Sequence, residues 1–252
     1  MVSIIIPTYN SQHSICRAID SCLNQTYKDI EIIVIDDGST DNTKEILLKY
    51  SGEPRLKYIY QENQERSSAR NRGLNITQGE LIQFLDSDDM IYEDKLEKEV
   101  NFLQNNQTYF MVYCASEYRD SDNKVINIAE PKYQGNIQKR LLSGNFITIN
   151  SPLIRKNNIR FSQELNMLED WEYWILSIRD RPVGYLDEIL CAIYITNQNK
   201  NQYILNMLNG CIKVYNKLLD NDDFKHFRFY LKIQKLKTYL RIFKHNVLNY
   251  IK

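Results

Sequence analysis

Three carboxylates fall within four residues, at Asp86, Asp88 and Asp89, directly after the apolar run at residues 81–85. The run predicts a buried strand, and acids this close repel one another unless a cation or hydrogen-bond donors balance them. Mg²⁺ and Mn²⁺ prefer carboxylate oxygens, and Mg²⁺ often takes phosphate oxygens as further ligands. The spacing therefore favours a metal, held by Asp86 and Asp88, that grips a diphosphate. The alternative is that these acids cap the N-terminus of a helix from about Tyr92.

Strands and helices alternate in the chain that leads to these acids. Apolar β-branched runs predict strands at residues 2–7, 30–35, 56–60 and 81–85, and apolar residues at helical spacing predict helices at 15–25, 43–50 and 68–77. This alternation is typical of a parallel sheet with right-handed crossovers. Strands that are apolar throughout indicate that both faces are covered. The sequence therefore predicts an α/β fold with a mostly parallel, Rossmann-like sheet flanked by helices.

Polar residues follow the predicted strands at their carboxyl ends. Tyr9 follows the first strand, Asp36 and Asp37 end the second, and the three acids at 86–89 follow the fourth. Open α/β sheets bind ligands at the carboxyl ends of their strands, so these side chains should lie along one edge. Neither G-x-G-x-x-G nor a P-loop motif occurs, which excludes those two nucleotide fingerprints.

The pattern changes after the acids. Helices are predicted at residues 93–104, 137–142 and 168–179, and extended segments at 109–115, 124–128, 147–154 and 185–195. The second half is therefore expected to mix antiparallel strands with helices.

Bulk composition narrows the class of protein. The chain is 43% hydrophobic and 25% charged with a formal net charge of zero, which fits a globular domain and gives no overall field that would attract nucleic acid. Five cysteines without a C-x-x-C pair support neither a zinc site nor a disulfide framework. No signal peptide or membrane span is expected, so the prediction is a cytoplasmic protein.

Five segments resemble family 2 glycosyltransferases of the GT-A fold. In chain order they are Val2-Ser3-Ile4-Ile5-Ile6-Pro7-Thr8-Tyr9-Asn10, Val34-Ile35-Asp36-Asp37-Gly38-Ser39-Thr40-Asp41, Ala69-Arg70-Asn71-Arg72-Gly73, Phe84-Leu85-Asp86-Ser87-Asp88-Asp89 and Glu169-Asp170-Trp171. The resemblance implies inverting transfer of a sugar from a nucleoside-diphosphate donor, with Mn²⁺ or Mg²⁺. A UDP-sugar donor, a glycan or lipid-linked acceptor, and a role in capsule, cell-wall or other bacterial surface polysaccharide synthesis are further family expectations.

The resemblance also assigns residues to the donor. They are Pro7, Thr8, Tyr9, Asp36, Asp37, Arg66, Arg70, Asp86 and Ser87. The first three would lie against the base, and Asp37, or less readily Asp36, would accept a hydrogen bond from the uracil ring N–H. Arg66 or Arg70 would neutralise phosphate or contact the base, unless they only line a solvated helix face.

The metal ligands implied by the resemblance are Asp86, Asp88 and Asp89. Asp88 would bind the ion directly, Asp86 would reach the ribose or the ion, and Asp89 would support them or serve as an alternative ligand. The expected division is a GT-A catalytic domain at 1–200, with a nucleotide-sugar-binding half at 1–90 and an acceptor-binding half at 91–200. A basic helical extension follows at 201–252.

Asp170 is the general base that the resemblance implies. Inverting displacement needs a carboxylate that takes the proton of the acceptor hydroxyl as it attacks the anomeric carbon. Glu169 would hold the acceptor or orient Asp170, and the flat ring of Trp171 suits a sugar or core packing. The alternative for Asp170 is helix capping, since it lies at a predicted helix start.

The C-terminal extension carries an apolar seam at spacings of three and four residues, which predicts a helix. The seam comprises Phe229, Ile233, Leu236, Leu240, Phe243, Val247 and Tyr250. From Phe224 to the last residue there are eight lysines and arginines and no acid. Such a helix can lie on an anionic membrane surface, which would make the protein peripheral on the inner face of the membrane. Docking on the catalytic domain and homodimerisation are the alternatives.

Two other functions compete with catalysis. A catalytically inactive sugar-nucleotide-binding or scaffold subunit would share the fold, but the metal acids and Asp170 are all present. A phospho-acceptor signalling domain would need an acceptor aspartate at the end of a middle strand. The third strand ends in Tyr60-Gln61, so this alternative is discounted.

Overall fold

The computed structural model describes residues 1–195 and 200–250, with side chains except at 200–202 and 247–250. In the first half, strands β1 (Val2–Thr8), β2 (Ile30–Asp37), β3 (Leu56–Gln61) and β4 (Leu81–Phe84) alternate with helices α1 (Ile15–Leu23), α2 (Thr43–Leu47) and α3 (Glu65–Ile76). The second half contains β5 (Met90–Ile91), α4 (Lys95–Asn105), β6 (Met111–Arg119), β7 (Val125–Ala129), α5 (Gln138–Leu141), β8 (Leu153–Arg155), α6 (Glu169–Ile178) and β9 (Val183–Tyr194). Helices α7 (Lys200–Asp220) and α8 (Arg228–Tyr250) end the described chain.

The strands form one mixed sheet in the order β3-β2-β1-β4-β8-β6-β9-β5, with β7 paired to β6. The first four strands are parallel to one another, as the alternation predicted. Beyond them β8 is antiparallel to β4 and β6, while β9 is parallel to β6. The predicted parallel first half and the mixed second half are both confirmed.

The core lies on both faces of this sheet because β1 and β2 are buried along their whole lengths. Alternate β1 residues point to opposite faces, so Ile4 and Ile6 pack with α1 while Ile5 packs with the aromatic core around Trp171 and Trp174. Two covered faces explain why these strands are apolar without alternation.

Three predicted boundaries are wrong. Helix α3 begins at Glu65 rather than at the predicted residue 68. Of the extended segment predicted at 147–154, only residues 153–154 pair as a strand, and that strand continues to Arg155. A short strand, Met90–Ile91, follows the acids, because its main chain pairs with β9. Helix α4 therefore begins at Lys95 with Asp94 at its N-cap, and the helix-capping alternative for the acids at 86–89 is wrong.

Helix α3 approaches β1 closely at Gly73. A Cβ built there would lie 2.5 Å from Cγ2 of Ile5, a fully buried side chain. We expect Gly73→Ala to destabilise the fold by about 1–3 kcal/mol, because β1 or α3 must shift. The measurement is the free energy of unfolding in urea. Gly52→Ala, where a Cβ meets nothing within 4 Å, is the matched control, and equal stability of both variants would contradict the prediction.

The C-terminal helices pack against each other and against the aromatic core. Seven residues, 221–227, connect α7 to α8, and the two helices pack side by side, so α8 runs antiparallel to α7. Docking is thus confirmed for the described part of α8, but through Leu231 and Thr238 rather than through the predicted seam. In the described ranges no helix has both the length and the apolar character needed to cross a bilayer.

Candidate active site

The loops that follow β1, β2 and β4 are bonded to one another at the carboxyl edge of the sheet. The main-chain N–H of Asn10 donates to Ser39 Oγ at 3.0 Å, and the N–H of Thr40 donates to Asn10 Oδ1 at 2.8 Å. The hydroxyls of Ser11 and Ser87 lie 2.8 Å apart. The predicted convergence of these strand ends on one edge is confirmed.

The two acids that end β2 have different surroundings. Both oxygens of Asp36 are engaged, one by the N–H of Ser39 and one by the hydroxyl of Tyr58. Asp37 uses only Oδ1, which accepts from Gln61 Nε2 at 2.6 Å and from the N–H of Gln64 at 3.0 Å. Among the described residues none donates to Asp37 Oδ2, so Asp37 is the acid with an oxygen left for a ligand.

The loop after Asp37 depends on Gly38. Its φ of +82° is in the left-handed region, and a Cβ there would lie 2.8 Å from the main-chain nitrogen of Asn63. Only glycine meets both conditions without strain. Gly38 therefore allows the β2 loop to pack against the loop before α3.

The end of β1 presents an exposed ring beside a buried hydroxyl. The Tyr9 side chain is 51% exposed, while Pro7 and Thr8 are buried. Thr8 Oγ1 has no hydrogen-bond partner within the part of the chain that the structure describes, and neither does the buried Oγ of Ser67 at the start of α3. Unpartnered buried hydroxyls are unfavourable, so this edge suits a ligand with polar groups.

Arg70 connects the acid loop to α6. Its guanidinium is buried and donates to Asp86 Oδ1 at 2.7 Å and to Glu169 Oε1 at 2.8 Å. Burial alone would lower the pKa of Arg70, but the charges of Asp86 and Glu169 raise it. Arg66 lies one turn earlier on α3, half-exposed, with Nε 3.2 Å from the same Glu169 oxygen. Arg70 is thus held by protein acids, whereas Arg66 keeps an accessible surface.

Removal of the Arg70 charge should destabilise the protein strongly. Arg70→Met leaves the buried Glu169 without its nearest cation, and breaking a buried pair in this way lowers stability by about 3–5 kcal/mol. The measurement is urea unfolding. Arg72→Met is the control on the same helix, because that side chain is exposed and makes only a 3.4 Å contact with Gln61. An Arg70→Met loss no larger than that of Arg72→Met would contradict the role of the pair.

The three acids after β4 differ in their freedom to bind an ion. Asp89 is buried, and both of its oxygens are occupied, one by Asn150 Nδ2 and one by the N–H of Tyr194. Asp88 is exposed, and no other residue in the described ranges donates to its carboxylate. Surrounding protein and then the Asp86 charge raise the pKa of Asp88. The carboxylate of Asp88 and the second oxygen of Asp86 are therefore the oxygens that remain available to bind a metal ion.

Asp170 lies in the first turn of α6, next to the Arg70 ion pairs. Its Oδ2 accepts from Asn145 Nδ2 at 2.9 Å and its Oδ1 from the N–H of Trp171. Burial and then the Glu169 charge raise the pKa of Asp170 to about 6, although Arg70 and Asn145 act in the opposite direction. The residue remains partly accessible. A raised pKa in a partly accessible acid is typical of a group that exchanges protons.

Leu168, just before Asp170, has a left-handed φ of +63°. A non-glycine residue in this conformation is unfavourable and persists only when its surroundings hold it. Its side chain packs against α7 at Gly210, where a Cβ would lie 3.3 Å from Leu168 Cδ1. Helix α7 therefore supports the turn that presents Asp170.

Comparison with known proteins identifies this arrangement. The sequence profile described as Glycosyl transferase family 2 matches residues 3–159. The chain belongs to glycosyl transferase family 2. It is a glycosyltransferase, an enzyme that transfers a sugar from a nucleotide-sugar donor. The resemblance that the five sequence segments indicated is thereby confirmed.

Relatives of this glycosyltransferase occur in several bacteria. It is 33% identical to a Rickettsia typhi glycosyltransferase over 219 residues, which cover 82% of this chain and 68% of the relative. It is 31% identical over 202 residues to the Escherichia coli UDP-Glc:alpha-D-GlcNAc-diphosphoundecaprenol beta-1,3-glucosyltransferase WfgD, covering 79% of this chain and 78% of that one. Against a Rickettsia felis relative it spans 46% of that protein's length.

Solved structures confirm the GT-A fold of the family 2 enzyme. Staphylococcus aureus TarS 1–349 in complex with UDP-GlcNAc superposes with a TM-score of 0.75 at 20% identity, over 95% of this chain and 72% of that one. The mannosyltransferase PcManGT from Pyrobaculum calidifontis, in complex with GDP-Man and Mn²⁺, superposes with a TM-score of 0.73 at 16% identity. The superposition covers 98% of this chain and 73% of that one. At these identities the likeness establishes the fold alone.

The free carboxylate oxygens of the acid loop fit a hard divalent cation that is bound together with phosphate. In the described ranges no three histidine, cysteine or acidic side chains gather closely enough to hold a metal by themselves. Asp88 and one oxygen of Asp86 remain available, and Mg²⁺ is commonly bound by one or two carboxylates, with substrate phosphates as further ligands. Asp89 fits a supporting role better than direct ligation, and its assignment as a ligand stays a prediction.

The acceptor residues implied by the resemblance lie deeper than expected. Trp171 is fully buried, and its Nε1 donates to the main-chain oxygen of Leu141 at 2.7 Å. Glu169 is buried between Arg66 and Arg70. Burial supports the alternatives of core packing for Trp171 and orientation for Glu169, and contact of either with the acceptor stays a prediction.

Four residues that contact the site lie outside the sequence motifs: Arg17, Asn145, Asn150 and Tyr194. Asn150 Oδ1 accepts a hydrogen bond from the main-chain N–H of Asp86 at 2.9 Å, and Asn150 Nδ2 donates to Asp89. Asn145 Nδ2 donates to Asp170. Arg17 on α1 donates to the main-chain oxygen of Asp88, and its guanidinium lies 3.5 Å from the centre of the Tyr194 ring. Two asparagines in the segment after α5 were the available hint, but nothing in their spacing identifies which acid each one would hold.

Proposed function

We propose that this enzyme transfers a hexosyl or N-acetylhexosaminyl group from a UDP-sugar, with inversion, to a hydroxyl of a lipid-linked glycan in bacterial surface polysaccharide synthesis. The name of the Escherichia coli relative gives a UDP-Glc donor and a diphosphoundecaprenol-linked acceptor, and the TarS structure holds UDP-GlcNAc. These names support a UDP-sugar and a lipid-linked glycan as the first substrates to test.

The observation that carries the proposal is the bridge made by Arg70. One guanidinium contacts Asp86 of the acid loop and Glu169, the neighbour of Asp170. Burial is the main reason why the pKa of Tyr118 rises to about 12, and the charges of both Asp89 and Asp170 add to that rise. A carboxylate base and a phosphate-binding acid loop therefore border one site, although 80 residues of chain lie between them.

The proposed reaction uses Asp170 as the base. Its carboxylate accepts the proton of the acceptor hydroxyl, whose oxygen bonds to the anomeric carbon as the bond to the diphosphate breaks. Attack on the face opposite the leaving group inverts that carbon. Asn145 holds Asp170 in place, and the charge of the adjacent Glu169 helps to raise its pKa. Arg66 and Arg17 supply positive charge near the acid loop, where they partly offset the rise in the pKa of Asp88.

The carboxyl ends of β1 and β2 would bind the nucleoside. Tyr9 offers an exposed ring for stacking, and Asp37 Oδ2 would accept the ring N–H of uracil. Thr8 Oγ1 would gain the partner that it lacks within the described chain. A Mn²⁺ or Mg²⁺ ion, when bound by Asp88 and Asp86, would supply positive charge that offsets the charge growing on the leaving diphosphate.

We further propose that the enzyme works at the inner face of the membrane, where a lipid-linked acceptor resides. The division into a nucleotide-sugar half at 1–90, an acceptor half at 91–200 and an extension at 201–252 stays part of this proposal. Homodimerisation through the apolar seam of α8 also stays a proposal, as the alternative to membrane contact.

A panel of nucleotide sugars tests the proposal. Purified enzyme with Mn²⁺ is offered UDP-glucose, UDP-N-acetylglucosamine, UDP-galactose and GDP-mannose together with a GlcNAc-diphosphate-lipid acceptor, and products are read by mass spectrometry and NMR. We expect a product from a UDP-sugar with the anomeric configuration opposite to that of the donor. Donor binding without turnover would favour the inactive scaffold, and retained configuration would refute the inverting mechanism.

A further inference from the structure

Helix α8 has two apolar rows on opposite faces. The inward row contains Leu231, Thr238 and Ile242, and the first two are fully buried against the rest of the protein. The outward row contains Phe229, Leu236, Leu240 and Phe243, which are 79%, 59%, 61% and 69% exposed. Phe229, Leu236 and Leu240 each lie two positions, about half a turn, from a residue of the inward row, and Phe243 lies one turn beyond Leu240. The seam predicted from the sequence is therefore the outward face.

Such a surface is unusual on a folded domain. Single exposed apolar residues need no explanation, but four large ones aligned on one helix face form a continuous strip. The 49% exposed ring of Tyr239 lies at its border. The predicted members Val247 and Tyr250 lie outside the described side chains, and Ile233 is half-buried at the edge of the strip.

Basic residues flank the strip on both sides. Lys232 lies along one border, and Lys237 and Lys244 lie along the other, all exposed. Nowhere from Phe224 to the last residue does the sequence contain an acid. Among the described side chains none of these three lysines has a carboxylate at salt-bridge distance. The face thus combines a hydrophobic centre with unneutralised positive borders.

This charge arrangement selects among the possible occupants. A second copy of the chain that covered the strip would bring lysines opposite lysines, since the face offers no acids to pair with them. An anionic bilayer complements both features, because its headgroups attract the cations and its acyl region accepts the phenylalanine and leucine side chains.

The helix also has a suitable position. β9 ends at Tyr194, whose main-chain N–H donates to Asp89 Oδ1 at 2.8 Å, and α7 begins six residues later at Lys200. Because α8 runs antiparallel to α7, its C-terminal part returns toward this end of the molecule. A bilayer bound along α8 would therefore lie toward the end of the molecule that carries Asp89 and the acid loop.

We propose that the outward face of α8, defined by Phe229, Leu236, Leu240, Phe243 and the flanking Lys232, Lys237 and Lys244, binds an anionic lipid bilayer in its plane. The proposal gives a physical surface to the membrane location suggested under the proposed function, but it stands on the charge and exposure of α8 and requires no particular sugar. The occupant is the lipid surface itself.

Flotation of the full chain with vesicles tests the surface. We expect binding to vesicles of phosphatidylcholine with 30% phosphatidylglycerol, weakened by salt, and little binding to phosphatidylcholine alone. Leu240→Glu should weaken binding at least about tenfold, and Lys237→Gln and Lys244→Gln about fivefold each. Leu48→Glu is the matched control, because Leu48 is 62% exposed on a short 3-10 helix far along the chain from α8.

Three outcomes would overturn the proposal. They are no binding to anionic vesicles, equal binding to both vesicle types, and a dimer in sedimentation velocity that Leu240→Glu dissociates. Thermal melts of the variants exclude unfolding as a cause. Sugar transfer to a soluble acceptor without a lipid is measured in parallel, so loss of membrane binding with transfer retained refutes only the surface, and the reverse refutes only the catalytic proposal.

Discussion

Asp170→Asn is expected to reduce sugar transfer by about a thousandfold while UDP-sugar binding stays within about twofold. A positioned general base contributes roughly 10²–10⁴ to the rate, and asparagine keeps the shape of the side chain but cannot take a proton. Its amide also faces Asn145, whose Nδ2 donates to the acid in the native protein. The measurements are initial rates of transfer and calorimetric titration with the donor.

The pH dependence gives a second readout of the same prediction. Burial and the Glu169 charge raise the pKa of Asp170 to about 6, so the base is protonated and inactive at lower pH. We expect kcat/KM to fall about tenfold per pH unit below about 6 and to level off above it. Asn145→Ala removes a donor that favours the carboxylate, so it should move this limb to higher pH.

Glu172→Gln is the matched control for Asp170→Asn. Glu172 lies two residues later on α6, where it is buried and paired with Lys217. Loss of the Glu172 carboxylate should leave the transfer rate unchanged, and it should not move the fall of kcat/KM at low pH. A residual Asp170→Asn rate above about a tenth of native, or an unchanged limb in that variant, would show that another group is the base.

Asp88→Asn is expected to abolish metal-dependent transfer. Treatment of the native enzyme with EDTA should stop the reaction, and Mn²⁺ or Mg²⁺ should restore it. The variant should show at least a hundredfold lower rate at every metal concentration, because Asp88 is the acid of the loop whose carboxylate is exposed and accepts no hydrogen bond from another described residue. The measurement is the transfer rate against metal concentration, supported by Mn²⁺ binding followed by electron paramagnetic resonance.

Two comparisons sharpen the Asp88 prediction. Asp94→Asn changes a partly exposed acid at the N-cap of α4 that is paired with Lys98, and it should leave metal dependence intact. Asp89→Asn should act mainly through stability, since both Asp89 oxygens are bound by Asn150 and Tyr194. Full activity of the Asp88 variant, or activity of the native enzyme in EDTA, would contradict a metal at this loop.

Much of the fold is predictable from short stretches of the sequence. Apart from Ser3, Glu31 and the strand ends, the residues of β1 and β2 are apolar, so both faces of these strands must be buried, and the helix between them makes the strands parallel. Once the strands are parallel, Asp37 and Asp86 must lie along the same edge of the sheet, at the carboxyl ends of the strands. These conclusions depend only on periodicity and on the handedness of the connections.

The partners of those acids are not predictable in the same way. Arg70 carries the sequence signal of a phosphate-binding residue, yet its two bonds are to Asp86 and to Glu169, which lies 99 residues further along the chain. Asn145 and Asn150 lie in a segment without regular structure, and the packing of that segment decides which acid each one meets. A side chain's hydrogen bonds depend on ångström-scale distances between elements, which local sequence does not encode.

The C-terminal helix shows the same division between local and tertiary information. Spacing alone predicted an amphipathic helix with basic borders, and α8 is such a helix. However, its sequence contains two rows with the same spacing, one through Leu231 and Thr238 and one through Leu236 and Leu240. Only the complementary shapes of α7 and the core decided that the first row is buried, and this choice left the second row facing solvent.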